Sequence, residues 1–221
     1  GGDPLPASLA RRLATPDARA AYALPLATAG ERSAGDAFAP TLVPSLDGPA
    51  VDMVIVTTDE LAPVFQQLAD YKTARGLATV VRTLSWIEST YPAGEDLPAT
   101  IRAFLTDAYA LWGADYALLG GDVDLLPVRM IFNAFYPSGT GSTIPVDLYY
   151  GGLDGDWNAD GDQTPGEPYF NTYDPGDAAD LAPELSVGRA PGRTGAEAAV
   201  VGGQILAPER AAVGPPRAAV R

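Results

Sequence analysis

Three short apolar runs, each separated from the next by a stretch of helical spacing, constrain this chain more than any other feature. Val51-Asp52-Met53-Val54-Ile55-Val56-Thr57 is β-branched and suits a buried parallel strand. From Asp59 to Arg75 the spacing turns helical, with Val64, Leu68 and Tyr71 on one face and Gly76 placed as a carboxyl-terminal cap. Leu77 to Leu84 reads as a second strand. After a turn at Pro92–Gly94, Asp96 can cap a helix reaching Trp112, with Ile101, Leu105, Ala108 and Leu111/Trp112 facing inward. Asp115-Tyr116-Ala117-Leu118-Leu119-Gly120-Gly121-Asp122 is a third strand running into a turn. Strands alternating with helices in this order imply right-handed crossovers and a central, mostly parallel sheet flanked by helices, an α/β architecture in three layers.

Beyond Asp122 the pattern weakens. Val128–Phe132 and Val146–Tyr150 are candidate strands around a Ser/Gly-rich loop, and Leu185-Ser186-Val187-Gly188-Arg189 is a further short buried one. Thr194-Gly195-Ala196-Glu197 is a capping box that opens a helix expected to end near Leu206, before Pro208. Residues 1–50 are rich in Ala, Pro and small polar residues and read as an extended lead-in or the end of a preceding segment. Short helical turns are expected there around Leu9–Leu13 and Asp17–Tyr22, and an edge strand or two from Phe38 to Leu46 fits nearly as well. The globular unit is expected over 51–210, with 211–221 an unstructured tail and the architecture incomplete at its carboxyl end.

Charge narrows the function classes. The net charge is −14, and no Lys or Arg lies between Arg129 and Arg189, where carboxylates recur from Asp147 to Glu184. Such a surface repels a phosphate backbone and anionic lipid, so nucleic acid is not an expected partner. No apolar run approaches the ~20 residues needed to span a bilayer. The chain contains no histidine and no cysteine. Serines and threonines therefore lack the usual base, and Lys72, the sole lysine, lies on a helix face. No catalytic residue is assigned, and the chain reads as catalytically incomplete.

Within the acidic region, residues Asp156 to Glu167 satisfy every specified position of the calcium-loop template D-x-[DN]-x-[DN]-G-x5-E. A curling loop turns every second side chain inward, so its oxygens can converge on one hard cation. Asp156, Asn158, Asp160 and Glu167 are the expected side-chain ligands, Asp162 offers its carbonyl, and Thr164 or a water fills a further place. Gly161 sits where the turn needs no Cβ. Pro165 and the lack of flanking helices argue for a single structural Ca²⁺ rather than a calcium sensor, and millimolar extracellular calcium suits such a site. A solvated acidic turn is the bland alternative. Gly120-Gly121-Asp122 at a strand's carboxyl end is either a site-facing carboxylate with Asp124 close by or a tight turn. Arg189 is read first as a carboxylate partner, and Trp86, Trp112, Tyr149 and Tyr150 as core.

The ordered set carries a resemblance. It comprises Met53–Thr57, the helix end Tyr71-Lys72-Thr73-Ala74-Arg75-Gly76, Ile101-Arg102-x-Phe104, the Tyr116–Asp122 strand and turn, Pro127, Asp147-Leu148-Tyr149-Tyr150, the Leu153–Asp162 loop and Val187-Gly188-Arg189. Together these resemble the amino-terminal half of the gingipain-type cysteine peptidase domain, a caspase-like fold, over about Val51 to Arg210. The resemblance implies a secreted or surface-located bacterial endopeptidase, stabilised by calcium and acting on protein or peptide substrates. In that family the cysteine that attacks the peptide carbonyl and the histidine that handles protons follow later strands, and no position here matches either. The expectation is therefore the amino-terminal portion of such a peptidase, a fragment inactive by itself, without a leader segment. The rival from another class is a calcium-binding surface or adhesion module that shares the fold and does not cut. A second and weaker rival is a doubly wound nucleotide- or phosphate-binding domain, suggested by Gly120-Gly121 after a strand, which lacks the G-x-G-x-x-G spacing and a nearby basic residue.

Overall fold

A computed structural model of the chain describes residues 38–133, 142–162, 164–167 and 176–211. The expected helical turns before residue 23 and most of the tail lie outside the described residues. Strands β1 (Met53–Thr57), β2 (Thr79–Thr83), β3 (Tyr116–Gly120) and β8 (Ser186–Ala190) form one sheet in the order β2-β1-β3-β8. Every neighbouring pair in it is parallel, with Met53 opposite both Thr79 and Tyr116, and Tyr116 opposite Ser186. Two small antiparallel pairs stand apart: β4 (Arg129–Asn133) with β5 (Ser142–Val146), and β6 (Gly155–Asp156) with β7 (Ala178–Ala179).

Alternation along the strands sends side chains to two cores. On one face Val54, Val56, Val80, Ala117 and Leu119 pack against α2 (Leu84–Thr90) and α3 (Leu97–Asp107) through Ile87, Ile101, Phe104 and Leu105. On the other, Ile55, Leu118 and Ala190 meet Phe65, Leu68 and Ala69 of α1 (Ala62–Ala74) and Ala198 and Leu206 of α4 (Gly195–Ala211). Helix, sheet and helix make the three layers. The buried face of α1 is Phe65, Leu68 and Ala69, whereas Val64 and Tyr71 stay half-buried at its margins. Phe65 packs so closely on β3 that a Cβ on Gly120 would lie 2.6 Å from its ring.

Local signals set several ends. Asp96 caps α3 by accepting from the Ala99 amide at 2.9 Å, and Thr194 accepts from Glu197 N at 3.3 Å while Glu197 reaches back to Arg193 N at 2.8 Å. Four details differ from the sequence reading. The helix toward Trp112 changes to a π-helical turn over Ala108–Trp112, ended by left-handed Gly113, and this seats Trp112 in the core. A short helix, α2, begins directly after β2 because the Thr83 hydroxyl accepts from Trp86 N at 3.4 Å. The candidate strand Val146–Tyr150 is instead the end of β5 followed by a 3-10 turn at Leu148–Tyr150. Helix α4 continues past Pro208 to Ala211, since a proline removes one donor without barring its successors from helical angles.

Among the described residues, 38–50 hold no strand. Among the described residues no helix is long and apolar enough to cross a membrane. Gly120→Ala should lower the urea midpoint by an amount equivalent to about 1–3 kcal/mol, because Phe65 is buried and cannot yield its place. Equilibrium unfolding followed by tryptophan fluorescence measures it.

Candidate functional site

Between β3 and β8, which are adjacent in the sheet, the chain makes a long excursion that carries every residue of the expected calcium loop. Three arginines dock it. Arg189 on β8 grips Asp147 with Nε at 2.8 Å from Oδ2 and Nη2 at 2.6 Å from Oδ1. Its third nitrogen, Nη1, donates to the carbonyls of Gly121 at 3.0 Å and Leu126 at 2.8 Å. Arg129 forks onto Asp96 at 2.7 and 2.8 Å and donates to the Tyr149 hydroxyl at 3.1 Å. Arg102, from α3, donates to the carbonyls of Gly152 at 2.9 Å and Asp154 at 2.8 Å.

The guanidiniums of Arg129 and Arg102 both lie over the Tyr149 ring, 4.4 and 5.2 Å from its centre. Trp157 then packs its edge on Tyr149, with centroids 5.5 Å apart. The acidic region is thus not free of basic neighbours, as the sequence order suggested. The fold brings Arg102 and Arg129 to line one small cavity of about 180 Å³ together with Glu95, Asp156, Trp157 and Asn158.

The loop itself is wound by short-range bonds. Asp156 accepts from Asn158 N at 3.1 Å, Asp160 from Asp162 N at 3.1 Å, and Asp162 from Thr164 N at 2.5 Å. Gly161 has φ 76°, in the left-handed region that its place in the template calls for. Asp177, which the template does not include, ties the two ends by accepting from the amides of Ala159 at 2.5 Å and Gly166 at 2.6 Å. Only the folded path reveals it. Of the five expected ligands, Asp160, Asp162 and Glu167 have carboxylate oxygens within 4.8 Å of one another, and Glu167 is buried. Asp156 does not join this cluster. Asn158 donates to Glu95 at 2.8 Å, and its Oδ1 is buried with no hydrogen-bond partner among the described residues. Asp156 closes the strand β6, and among the described residues no α-helix flanks the loop.

A second acidic group, which the sequence reading did not single out, gathers Asp154, Asp180 and Glu184. Partial loss of water, and then the nearby charges of Glu184 and Asp180, push the Asp154 carboxyl above its usual range.

At the carboxyl edge of the sheet, Asp122 is a turn residue and an ion-pair partner. It accepts from Val123 N at 2.8 Å and meets Arg193 Nε at 2.6 Å, while its carbonyl accepts from the amides of Leu125 and Leu126, both at 2.9 Å. The Arg193 hydrogen bond, followed by that of the Val123 amide, holds its carboxyl below the usual range. Arg193 also reaches Asp124 at 3.1 Å. Arg189 takes the carboxylate-partner role read for it. Trp112, Tyr149 and Tyr150 are buried and Trp86 is partly so, as read.

The sequence that builds this arrangement matches a known family. The profile described as Peptidase family C25 matches residues 47–219, and the chain belongs to that family, the gingipain family of cysteine peptidases. Among solved structures it is similar to dimeric latent PorU from Porphyromonas gingivalis, with a TM-score of 0.50 and 22% identity over 73% of this chain and 16% of that one. A structure described only as a protease matches with a TM-score of 0.47 and 19% identity, over 73% of this chain and 29% of that one. The complex of Porphyromonas gingivalis RgpB pro- and mature domains matches with 0.46 and 20%, over 70% and 28%. The chain therefore spans less than a third of the length of each of these structures. No curated protein sequence matches it. The likeness to PorU supports the caspase-like, three-layer fold.

Asp154 gives a pH prediction. An acid whose folded pKa is raised favours the folded state at low pH, and that contribution is lost as pH rises through the folded value. Asp154→Asn should therefore raise the thermal midpoint near pH 7 and leave it unchanged well below the ordinary carboxylate range, at about pH 3. Melts across that window check it.

Proposed function

We propose that this chain supplies the amino-terminal, calcium-stabilised part of a cysteine-type endopeptidase domain, with the cysteine and histidine carried by polypeptide outside these 221 residues. The family membership over 47–219 carries the reading. In this proposal the substrates are proteins or peptides, and the working place is outside the bacterial cell or at its surface. The present segment provides the first half of the sheet and the edge from which later strands continue. It supplies neither the cysteine nucleophile nor the histidine of that chemistry, since it contains neither residue type.

Calcium is part of the same proposal. Asp160, Asp162 and Glu167 would hold the ion, with Asn158 Oδ1 as an oxygen lacking any other partner among the described residues. The donor set is all oxygen, as a hard divalent cation requires. When bound, the ion supplies positive charge that relieves repulsion between the carboxylates. The residues themselves do the rest: Asp177 pins the loop ends, Gly161 makes the turn, and Trp157 anchors the loop to Tyr149. The rival reading, a non-catalytic calcium-binding surface or adhesion module, shares these features and differs only in what the whole protein contains.

Two measurements test the proposal. Calcium at a hundred times its dissociation constant should stabilise by about 2.7 kcal/mol, a rise of roughly 5–10 °C in midpoint for a chain of this size. The Asp160→Asn/Asp162→Asn variant should show none of it. An unchanged wild-type midpoint in millimolar calcium overturns the metal assignment. Separately, a longer polypeptide continuing past Arg221 should hydrolyse peptides and lose that activity to a thiol alkylator, while the 221-residue chain should be inert. Failure of the longer polypeptide to cut, or its lack of a cysteine, would favour the adhesion module.

A further inference from the structure

Among the described residues β2 is an outer strand of the sheet. An unpaired strand edge presents a row of amide and carbonyl groups that invites another strand. On β2 those groups are met by side chains. The Thr73 hydroxyl, from α1, accepts from Thr79 N at 3.0 Å and donates to Thr79 O at 3.4 Å. Arg82 turns Nη1 back onto the carbonyl of Val81 at 2.9 Å.

The other nitrogens of the same guanidinium leave the strand altogether. Nε and Nη2 donate to the carbonyl of Leu42 at 3.2 and 2.9 Å, and Nη2 donates to that of Thr41 at 3.1 Å. The guanidinium lies 5.0 Å from the ring centres of both Trp86 and Trp112, so two indoles fix its plane. Trp112 adds its own N–H to the Thr41 hydroxyl at 2.8 Å. Phe38 packs against the core, Pro44 is buried, and Phe38 and Pro40 line a cleft of about 450 Å³ with Thr73, Val81 and Arg82.

We propose that residues 38–50 are a latched strap, a working part of the domain that covers the β2 edge, and that Arg82 is its latch. Arg82 suits this duty because one planar fork serves three carbonyls, two on the strap and one on the strand, while the aromatic faces desolvate it. A lysine at this position has one nitrogen and no plane to stack. The strap thereby belongs to the folded unit, whose working start lies near Phe38 rather than at Val51.

Limited digestion with thermolysin at constant calcium tests the latch, because Leu42, Val43 and Leu46 are apolar cleavage points already exposed on the strap. With the strap latched, cleavage between Phe38 and Ala50 should be slow in the wild type. Arg82→Ala should speed it at least tenfold, and Arg82→Lys nearly as much, while cleavage within the sheet domain and the urea midpoint of the core change far less. Thr41→Val, which removes the acceptor for Trp112 and keeps the Thr41 carbonyl that Arg82 holds, should give a smaller rise at the same sites. It decides the matter if Arg82→Ala does not fold. Wild-type cleavage rates across 38–50 in a folded Arg82 variant, or in Thr41→Val, would overturn the proposal.

Discussion

The stacking of two guanidiniums on the Tyr149 ring is the contact on which the middle of this structure depends. Neighbouring strands of a sheet are usually joined by a compact crossover. Here the chain leaves β3, travels through two small hairpins and a strongly acidic loop, and only then returns as β8. Among the described residues of that path backbone ladders are few and short, and side chains carry much of the holding. Arg102 does this from α3 and Arg129 from β4 within the excursion itself, with both guanidiniums over the Tyr149 ring and Trp157 leaning on its edge. Arg189 completes the set by binding Asp147, two residues before Tyr149, to the last strand. Arg102 and Arg189 donate to carbonyls or carboxylates of the excursion and of the turn after β3, and Arg129 ties it back to Asp96 at the start of α3. Their charge is thus placed where the local sequence has none of its own.

That placement explains what the amino-acid sequence discloses and what it hides. The strands announce themselves because Val54-Ile55-Val56 and Leu118-Leu119 must be apolar on both faces in a sheet covered from both sides. The caps at Asp96 and Thr194 are equally legible, since a cap acts on amides two or three residues away. Sequence periodicity misjudges α1 by one position, choosing Val64 over Phe65, because two apolar rows run side by side and only the packing against Gly120 selects between them. The π-turn at Ala108–Trp112 has no sequence signal of its own; it is the register in which Trp112 reaches the core.

The acidic loop was half legible. Its spacing names the oxygen donors, and Asp160, Asp162 and Glu167 do come together. Its partners could not be found by spacing. Asp177 lies ten residues beyond Glu167, and Arg102, Arg129 and Glu95 come from earlier elements. An absence of nearby lysine and arginine along the chain therefore says little about the charge a loop meets in space. The family membership fixes the class of protein, and the missing cysteine and histidine bound what these residues can do, yet neither describes how the excursion is held.

The strap across β2 has a mechanical consequence. Polypeptide joined ahead of Phe38 would transmit a pull into residues 38–42 first, and the load would fall on the carbonyls that Arg82 holds. Those bonds meet the guanidinium at its rim, so they would open one after another like a seam. The ladder joining β1 to β2 and β3, by contrast, spans five residue pairs on each side and would share a load among them all. Tension from the amino-terminal side would accordingly be dissipated at the margin, leaving the interior of the molecule unstretched.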